Sequence, residues 1–448
     1  MSNKDSGPVV IVGAGVSGLT LAFLLQSRGI HCILVEKDER VGGLARSFKY
    51  DGYTFDIGPH RFHTTVAEVD SFVRSTLGTE GIEIPRNSQV QFMGHRYSWP
   101  LRPGLMLFRF PPSVLFSIGI DLLTLYKKPH PVSFRDYIEN MYGKTLYRRF
   151  FEGYSSKFLG ITPELTDIDW ATTGIDRAII DNRLKMHSLW QVALGSLRPS
   201  KGPPTLFVYP REGCGQFTDL LAEGFVRAGG ELLTGTEIEG IDSGGGNIRA
   251  VHVAGRTISP SLLIWTGTIH AANRLLSIAP PSLRYLSLVC YNLMLTEGEH
   301  FDFQWCYHGA PEVFFSRTSI PANFSRQATP EGQRSLCVEV SCREEDEVYN
   351  APERFLDRVL TDLKRERLLK TDSELVAVRY ERAPWAYPVY KLGYRKDLDA
   401  LNAQHAPFGN LIMAGRLGKF WYNNMDHCIE ASQKLAGEVL ERLGRTAS

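Results

Sequence analysis

Short apolar runs, glycine turns and helically spaced stretches alternate along the chain. Pro8 to Val12 is continuously apolar, the pattern of a strand buried on both faces. Gly13-Ala14-Gly15-Val16-Ser17-Gly18 follows at once. Leu19 to Arg28 has helical character and stops at Gly29. His31 to Val35 is a second apolar run, closed by Glu36, which stands 18 positions after Gly18. The pattern predicts strand, tight turn, helix and strand, with an acid at the end of the second strand.

Further elements follow from the same periodicities. Val114 to Ile120 predicts a buried helix. Phe134 to Phe158 predicts a longer helix with a charged face, and Ser133 and Asp136 suit its start. Another helix is expected from Asp167-Ile168-Asp169-Trp170, and Arg198 to Pro204 has the composition of a linker. Tyr209 to Gln216 is a glycine-rich turn, and Phe217 to Ala228 predicts a helix ending at Gly229-Gly230. Extended runs are expected at Glu231–Ile241, Ile248–Val253 and Thr257–Ile264. Residues 281–404 carry β-branched and aromatic runs, including Val313–Phe315 and Leu336–Val340, with a helix at Pro352–Arg367. The last segment, 408–430, again predicts strand, glycine turn and helix, the helix starting near Asn424.

Composition narrows the class. The chain has 448 residues, 43% hydrophobic and 22% charged. That is enough for a large core and fits two domains of an ordinary globular protein. A formal net charge of +1 gives no reason to expect a nucleic acid partner. The seven cysteines are scattered and lack a CxxC pair. No metal site or disulfide framework is expected, and a reducing cytoplasm fits best. Leu105 to Tyr126 is broken by Arg109, Pro111, Pro112 and Asp121, so membrane contact is not expected.

The opening unit carries recognisable chemistry. Gly13 allows a tight turn, Gly15 lets a pyrophosphate approach the backbone, and Gly18 lets helix and strand pack closely. The helix N-terminus offers N–H groups and a positive dipole to phosphates. Glu36 is placed to accept from a ribose hydroxyl and disfavours a 2′-phosphate. The unit predicts a dinucleotide site.

A second motif, Arg40-Val41-Gly42-Gly43-Leu44-Ala45-Arg46-Ser47, is not needed by a plain nicotinamide domain. It resembles the extension shared by flavoproteins of the amine oxidase and UDP-galactopyranose mutase superfamily. The resemblance continues through Asp51-Gly52-Tyr53-Thr54-Phe55-Asp56-Ile57-Gly58-Pro59-His60-Arg61-Phe62-His63 and returns in residues 408–430. It implies an α/β, Rossmann-like fold of the two-dinucleotide-binding-domain type, built from discontinuous segments. Residues 1–75, 205–280 and 405–448 would bind FAD. Residues 76–204 and 281–404 would form an α+β substrate or cap domain. The implied cofactor contacts are Gly13, Gly15, Val16, Ser17, Gly18, Glu36, Lys37, Gly42, Gly43, Leu44, Ala45 and Arg46. They continue with Gly58, Pro59, His60, Arg61, Ile238, Gly415, Arg416, Asn424, Met425 and Asp426. Ile238 is equally readable as core, and Asn424 and Asp426 as caps. The last helix would point its N-terminus at the flavin and favour negative charge there.

Within the superfamily, GPHRFHT (58–64), FFEGYSSK (150–157) and GRLGKFWYNNMD (415–426) resemble UDP-galactopyranose mutase. The chain departs from the mutase pattern at Leu159, Leu286 and Asn424, where the mutase has a tryptophan, an arginine and an acid. YPREGCGQ (209–216), AYPVY (386–390) and YNNMDH (422–427) resemble the protoporphyrinogen-oxidase-like and amine-oxidase-like branch. That branch implies an FAD-dependent oxidoreductase moving a hydride from an amine, alcohol or saturated carbon of a small molecule to flavin N5. Oxygen, a nicotinamide and a quinone all stay open as electron acceptor. The alternatives are a redox-neutral mutase on a nucleotide sugar and, more remotely, a flavin-free binding protein of the Rab GDP-dissociation-inhibitor type. His60 and His63 are candidate proton relays. Tyr390 and Tyr422 are candidate catalytic residues, with Tyr387 as a further pocket wall. Backbone hydrogen bonding is the other reading of His60.

Overall fold

The computed structural model describes residues 7–99, 110–124, 128–172 and 205–445. The linker expected at 198–204 lies outside them, as does the continuation of the helix expected from 167–170.

The first structural layer follows from strand alternation. Five strands, β1 (Val9–Val12), β2 (Cys32–Val35), β3 (Glu231–Leu233), β4 (Leu262–Trp265) and β5 (Leu411–Met413), form a sheet in the order β5-β4-β1-β2-β3. Every pairing is parallel. Val9 and Ile11, Cys32 and Leu34, and Leu262 and Ile264 face a core shared with helices α1 (Val16–Ser27) and α2 (Met425–Arg442). Val10 and Val12, Ile33 and Val35, and Leu263 and Trp265 face the other way. There they meet an antiparallel three-stranded meander of residues 238–258. A strand covered on both sides has no polar face, which is why these runs are unbroken.

The second half of the glycine turn, Val16-Ser17-Gly18, is already helix. α1 begins at Val16, three residues before the expected Leu19. The last helix, α2, lies on α1, and Ser432 Oγ donates to the Ser17 carbonyl at 3.0 Å.

A second, seven-stranded sheet runs in the order 375–388, 285–295, 334–342, 317–319, 305–308, 88–92 and 95–99. Leu288, Cys290 and Met294 face one side of it. Val289, Tyr291 and Leu293 face the other, against the helix Leu356–Arg365. The hairpin of residues 47–56 is fastened by Asp56. Its carboxylate accepts from Ser47 Oγ (2.5 Å), Tyr209 Oη (2.7 Å) and Cys214 N (3.0 Å). Complete burial pushes the Asp56 carboxyl up to about 6 despite these bonds.

Several expected elements are corrected. Thr257–Ile264 is two strands, Arg256–Ile258 and Leu262–Trp265, because Ser259-Pro260-Ser261 interrupts the ladder. Val313–Phe315 is not a strand; Val313 and Phe315 are buried side chains of the connection between 305–308 and 317–319. The helix from Phe134 has its expected capping box of Ser133 and Asp136 but is broken at Gly143, whose φ of 78° is non-helical. The helix at Pro112–Thr124 buries Val114 and Ile118 but not its other face: Phe116 is 71% and Leu123 84% exposed. Among the described residues no helix is long and apolar enough to cross a membrane. All seven cysteines are buried and unpaired.

Candidate functional site

The carboxyl ends of β1, β2 and β4 open into a cavity of about 500 Å³, where an open parallel sheet places its ligands. Its floor is two glycine pairs lying side by side. Gly42 N donates to the Ala14 carbonyl at 2.8 Å, and Gly15 and Gly42 form a parallel bridge. A Cβ on Gly18 would stand 1.9 Å from the Gly13 carbonyl oxygen, so that glycine serves helix packing. A Cβ on Gly15 would meet no protein atom within 4 Å. It would stand in the cavity instead, at the N-terminus of α1, where no side chain caps the helix.

Glu36 is 8% exposed and lines the cavity from the end of β2. Its Oε2 accepts from Ala14 N at 2.7 Å and its Oε1 from Asp38 N at 3.0 Å. It therefore holds the glycine turn, and each oxygen keeps a second lone pair for a ribose hydroxyl. Glu36→Ala is expected to weaken FAD affinity about tenfold or more, since a hydrogen bond to a charged group is worth ~1.5–3 kcal/mol. Titration of apoprotein with FAD checks this, and unchanged affinity would remove Glu36 from the site. Arg46 donates to the Gly43 carbonyl at 2.9 Å and pairs with Asp38. Lys37 lies over the Trp385 ring at 4.6 Å.

The other end of the cavity is cationic and aromatic. Arg317 forms a bidentate pair with Glu339, at 2.6 and 2.5 Å, and also donates to Tyr387 Oη at 3.3 Å. Arg416 donates to the carbonyls of Asn423 and Ala386. Its guanidinium lies 5.2 Å from the Tyr387 ring and 4.9 Å from that of Tyr422. Arg61 lies over Trp305 (5.1 Å) and Phe207 (5.4 Å). His60 lines the same end, and its buried Nδ1 has no hydrogen-bond partner. Burial, then Arg317, Arg416 and Arg61, push the His60 pKa down to about 3. Among the described residues no group of three or more His, Cys, Asp or Glu side chains could hold a metal.

Most predicted cofactor contacts line the cavity; Gly18, Gly58, Gly415 and Asp426 stand behind its surface. Gly58 abuts Glu339 and Gly415 abuts Ser17, so both serve packing. Asn424 caps α2 in a capping box with His427, while Met425 lines the cavity. Two catalytic candidates are displaced. Past Phe62, which bridges to Val208, the chain leaves the cavity, and His63 lines a separate depression with Thr64, Asp70 and Arg74. Tyr390 stacks on Tyr394 at 4.4 Å, and its Oη accepts from Tyr422 N at 2.7 Å. It positions Tyr422 and does not line the cavity. His60 is also corrected: its imidazole is neutral throughout the neutral range and has no titration there. Burial raises the Tyr422 and Tyr387 hydroxyls, so neither is a phenolate base. Arg317, Tyr307, Thr266 and Trp385 line the site without having been singled out. Glu339, an acid amid the apolar run Leu336–Val340, was the available signal for a buried cation beside it.

A family model described as "Flavin containing amine oxidoreductase" matches residues 16–440. The chain belongs to that family. A cradle at Gly15 that only a ligand fills and a ribose acceptor at Glu36 fit the family's dinucleotide. The cofactor is FAD. Solved structures share this fold: a reduced UDP-galactopyranose mutase superposes with a TM-score of 0.82 at 20% identity, covering 98% of this chain and 96% of the mutase. A putrescine oxidase double mutant gives 0.65 at 17% identity, covering 98% and 99%. The 4,4'-diapophytoene desaturase of Staphylococcus haemolyticus is 49% identical over 51 residues, 11% of this chain. That stretch is 10% of the desaturase's own length.

Proposed function

We propose that this family member is an FAD-dependent oxidoreductase acting on a small molecule. The observation that carries the reading is continuity. One cavity runs from the Gly15–Glu36 turn to the wall of His60, Arg317, Tyr387 and Tyr422. A bound dinucleotide and a substrate would therefore share it. When bound, FAD supplies a two-electron acceptor at N5.

The chain's own residues do the remaining work. Gly15 and the start of α1 receive phosphate, and Glu36 fixes the ribose. Met425, in the first turn of α2, brings the positive end of that helix to the cavity wall. Tyr422, held by Tyr390 and stacked on Trp170 at 4.7 Å, confines the substrate. His60 offers a neutral hydrogen-bonding imidazole. The proposed division into a cofactor part (1–75, 205–280, 405–448) and a substrate part (76–204, 281–404) is supported by the origin of the sheet strands. All five strands of the parallel sheet come from the first set. Oxygen, a nicotinamide and a quinone remain candidate acceptors.

Purified protein tests the reading. Substrate-dependent bleaching of a flavin spectrum supports it, activity only after dithionite reduction supports the mutase, and a colourless protein refutes both. The pH profile offers a sharper check on His60. With a pKa near 3, it is neutral at pH 6 and at pH 8 alike. His60→Ala is expected to change the rate without removing any titration step between those values. A step near pH 6.5 present in the wild type and absent in the variant would show that His60 is protonated there.

A further inference from the structure

We infer that the substrate carries an oxyanion, a carboxylate or a phosphate, and that Arg61 receives it. The inference rests on the oxidoreductase reading and narrows its substrate class, which otherwise includes amines.

At the far end of the cavity the cations outnumber the acids that pair with them. Three guanidinium groups, those of Arg61, Arg317 and Arg416, act on His60 there. Arg317 is neutralised by the buried Glu339. Arg416 is held by two backbone carbonyls. Among the described residues Arg61 has neither a hydrogen bond nor an ion pair to a carboxylate. It is stacked on Trp305 and Phe207, which fix the plane of its fork. Its neighbour Arg86 is pushed down to about 10, first by burial and then by Arg61, as expected where cations are in excess. Asp426 is a carboxylate that feels Arg61. Burial raises its pKa, and its near partner is His427 at 3.6 Å.

An amine has no comparable place. Tyr387 and Tyr422, with centroids 5.7 Å apart and planes at 55°, are the pair that would cage an ammonium. Arg416 already lies over both rings. A substrate cation entering would meet a guanidinium, whereas an oxyanion would meet a fork without an acid.

Pentanoate, pentyl phosphate and pentylammonium, matched in chain length, test this on the FAD-loaded protein at constant ionic strength. Tryptophan fluorescence reports on Trp305 beneath Arg61, and flavin absorbance reports on the cavity. One or both anions are expected to give a saturable change and pentylammonium none. Pentanoate alone marks a carboxylate site and pentyl phosphate alone a phosphate site. Arg61→Met should weaken anion binding about tenfold or more, with Arg61→Lys in between. Saturation by pentylammonium but not by the anions, no response to any probe, or wild-type anion affinity in Arg61→Met overturns the inference. Probe selectivity in the wild type needs no variant to fold. A protein that purifies without flavin would instead refute the oxidoreductase reading, a separate result seen before any probe is added.

Discussion

Gly15→Val is expected to give a folded protein that purifies without flavin. A Cβ at Gly15 meets no protein atom within 4 Å and points into the cavity, so the apoprotein should accept it. The backbone there is extended, with φ −77° and ψ −176°, which valine accepts readily. The same side chain occupies the space through which a pyrophosphate would reach the start of α1. Loss of the cofactor should therefore be complete while the far-ultraviolet spectrum is kept. Gly18→Val supplies the contrast. Its Cβ falls 1.9 Å from the Gly13 carbonyl oxygen, inside the protein, and should abolish soluble expression. The ratio of flavin to protein absorbance, beside circular dichroism, reads both. A Gly15→Val protein with a full flavin complement would place the dinucleotide elsewhere.

Glu339→Ala should be the most destabilising of the substitutions considered near the cavity that leave the glycine turn intact. Glu339 is 1% exposed and its partner Arg317 is largely buried. Removing the carboxylate leaves a guanidinium with its charge uncompensated in a poorly solvated place. Breaking a buried pair from one side costs about 3–5 kcal/mol. The double variant Arg317→Met/Glu339→Leu should lose much less, because it removes the charge along with its partner. Urea midpoints at a fixed flavin load would measure both. A loss under about 1 kcal/mol in Glu339→Ala would mean that water, not Glu339, compensates Arg317.

The parts of the site legible in the sequence are those made by neighbours along the chain. The strand β1, the glycine turn, α1 and Glu36 lie within residues 9–36 and follow from run length, turn glycines and a closing acid. The caps at Ser133 and Asn424 are equally local. What escaped depends on strands brought together over long separations. Arg317 meets Glu339 because their strands pair directly, Arg317 opposite Glu339 in the register. No spacing rule along the chain expresses that. His60 and His63 look equivalent as letters. Only the bridge of Phe62 to Val208, set by the strand Leu206–Pro210, separates the one that faces the cavity from the one that does not. The exposed face of Pro112–Thr124 escaped for a related reason: apolar spacing fixes a helix, not what covers it.

One cover of α1, the helix α2, is made long after α1 itself. Ser17 and Ser432, which join the two, are 415 residues apart. At a synthesis rate of about 5–20 residues per second, roughly 20–80 s pass between their appearances. Through that interval α1, whose residues Val16 to Ala22 end up buried, lacks one of the helices that cover it, and β4 has no β5 beside it. The dinucleotide turn is thus completed long after it is translated. A chain that stops before α2 would leave the α1 face that α2 covers as an open, apolar seam.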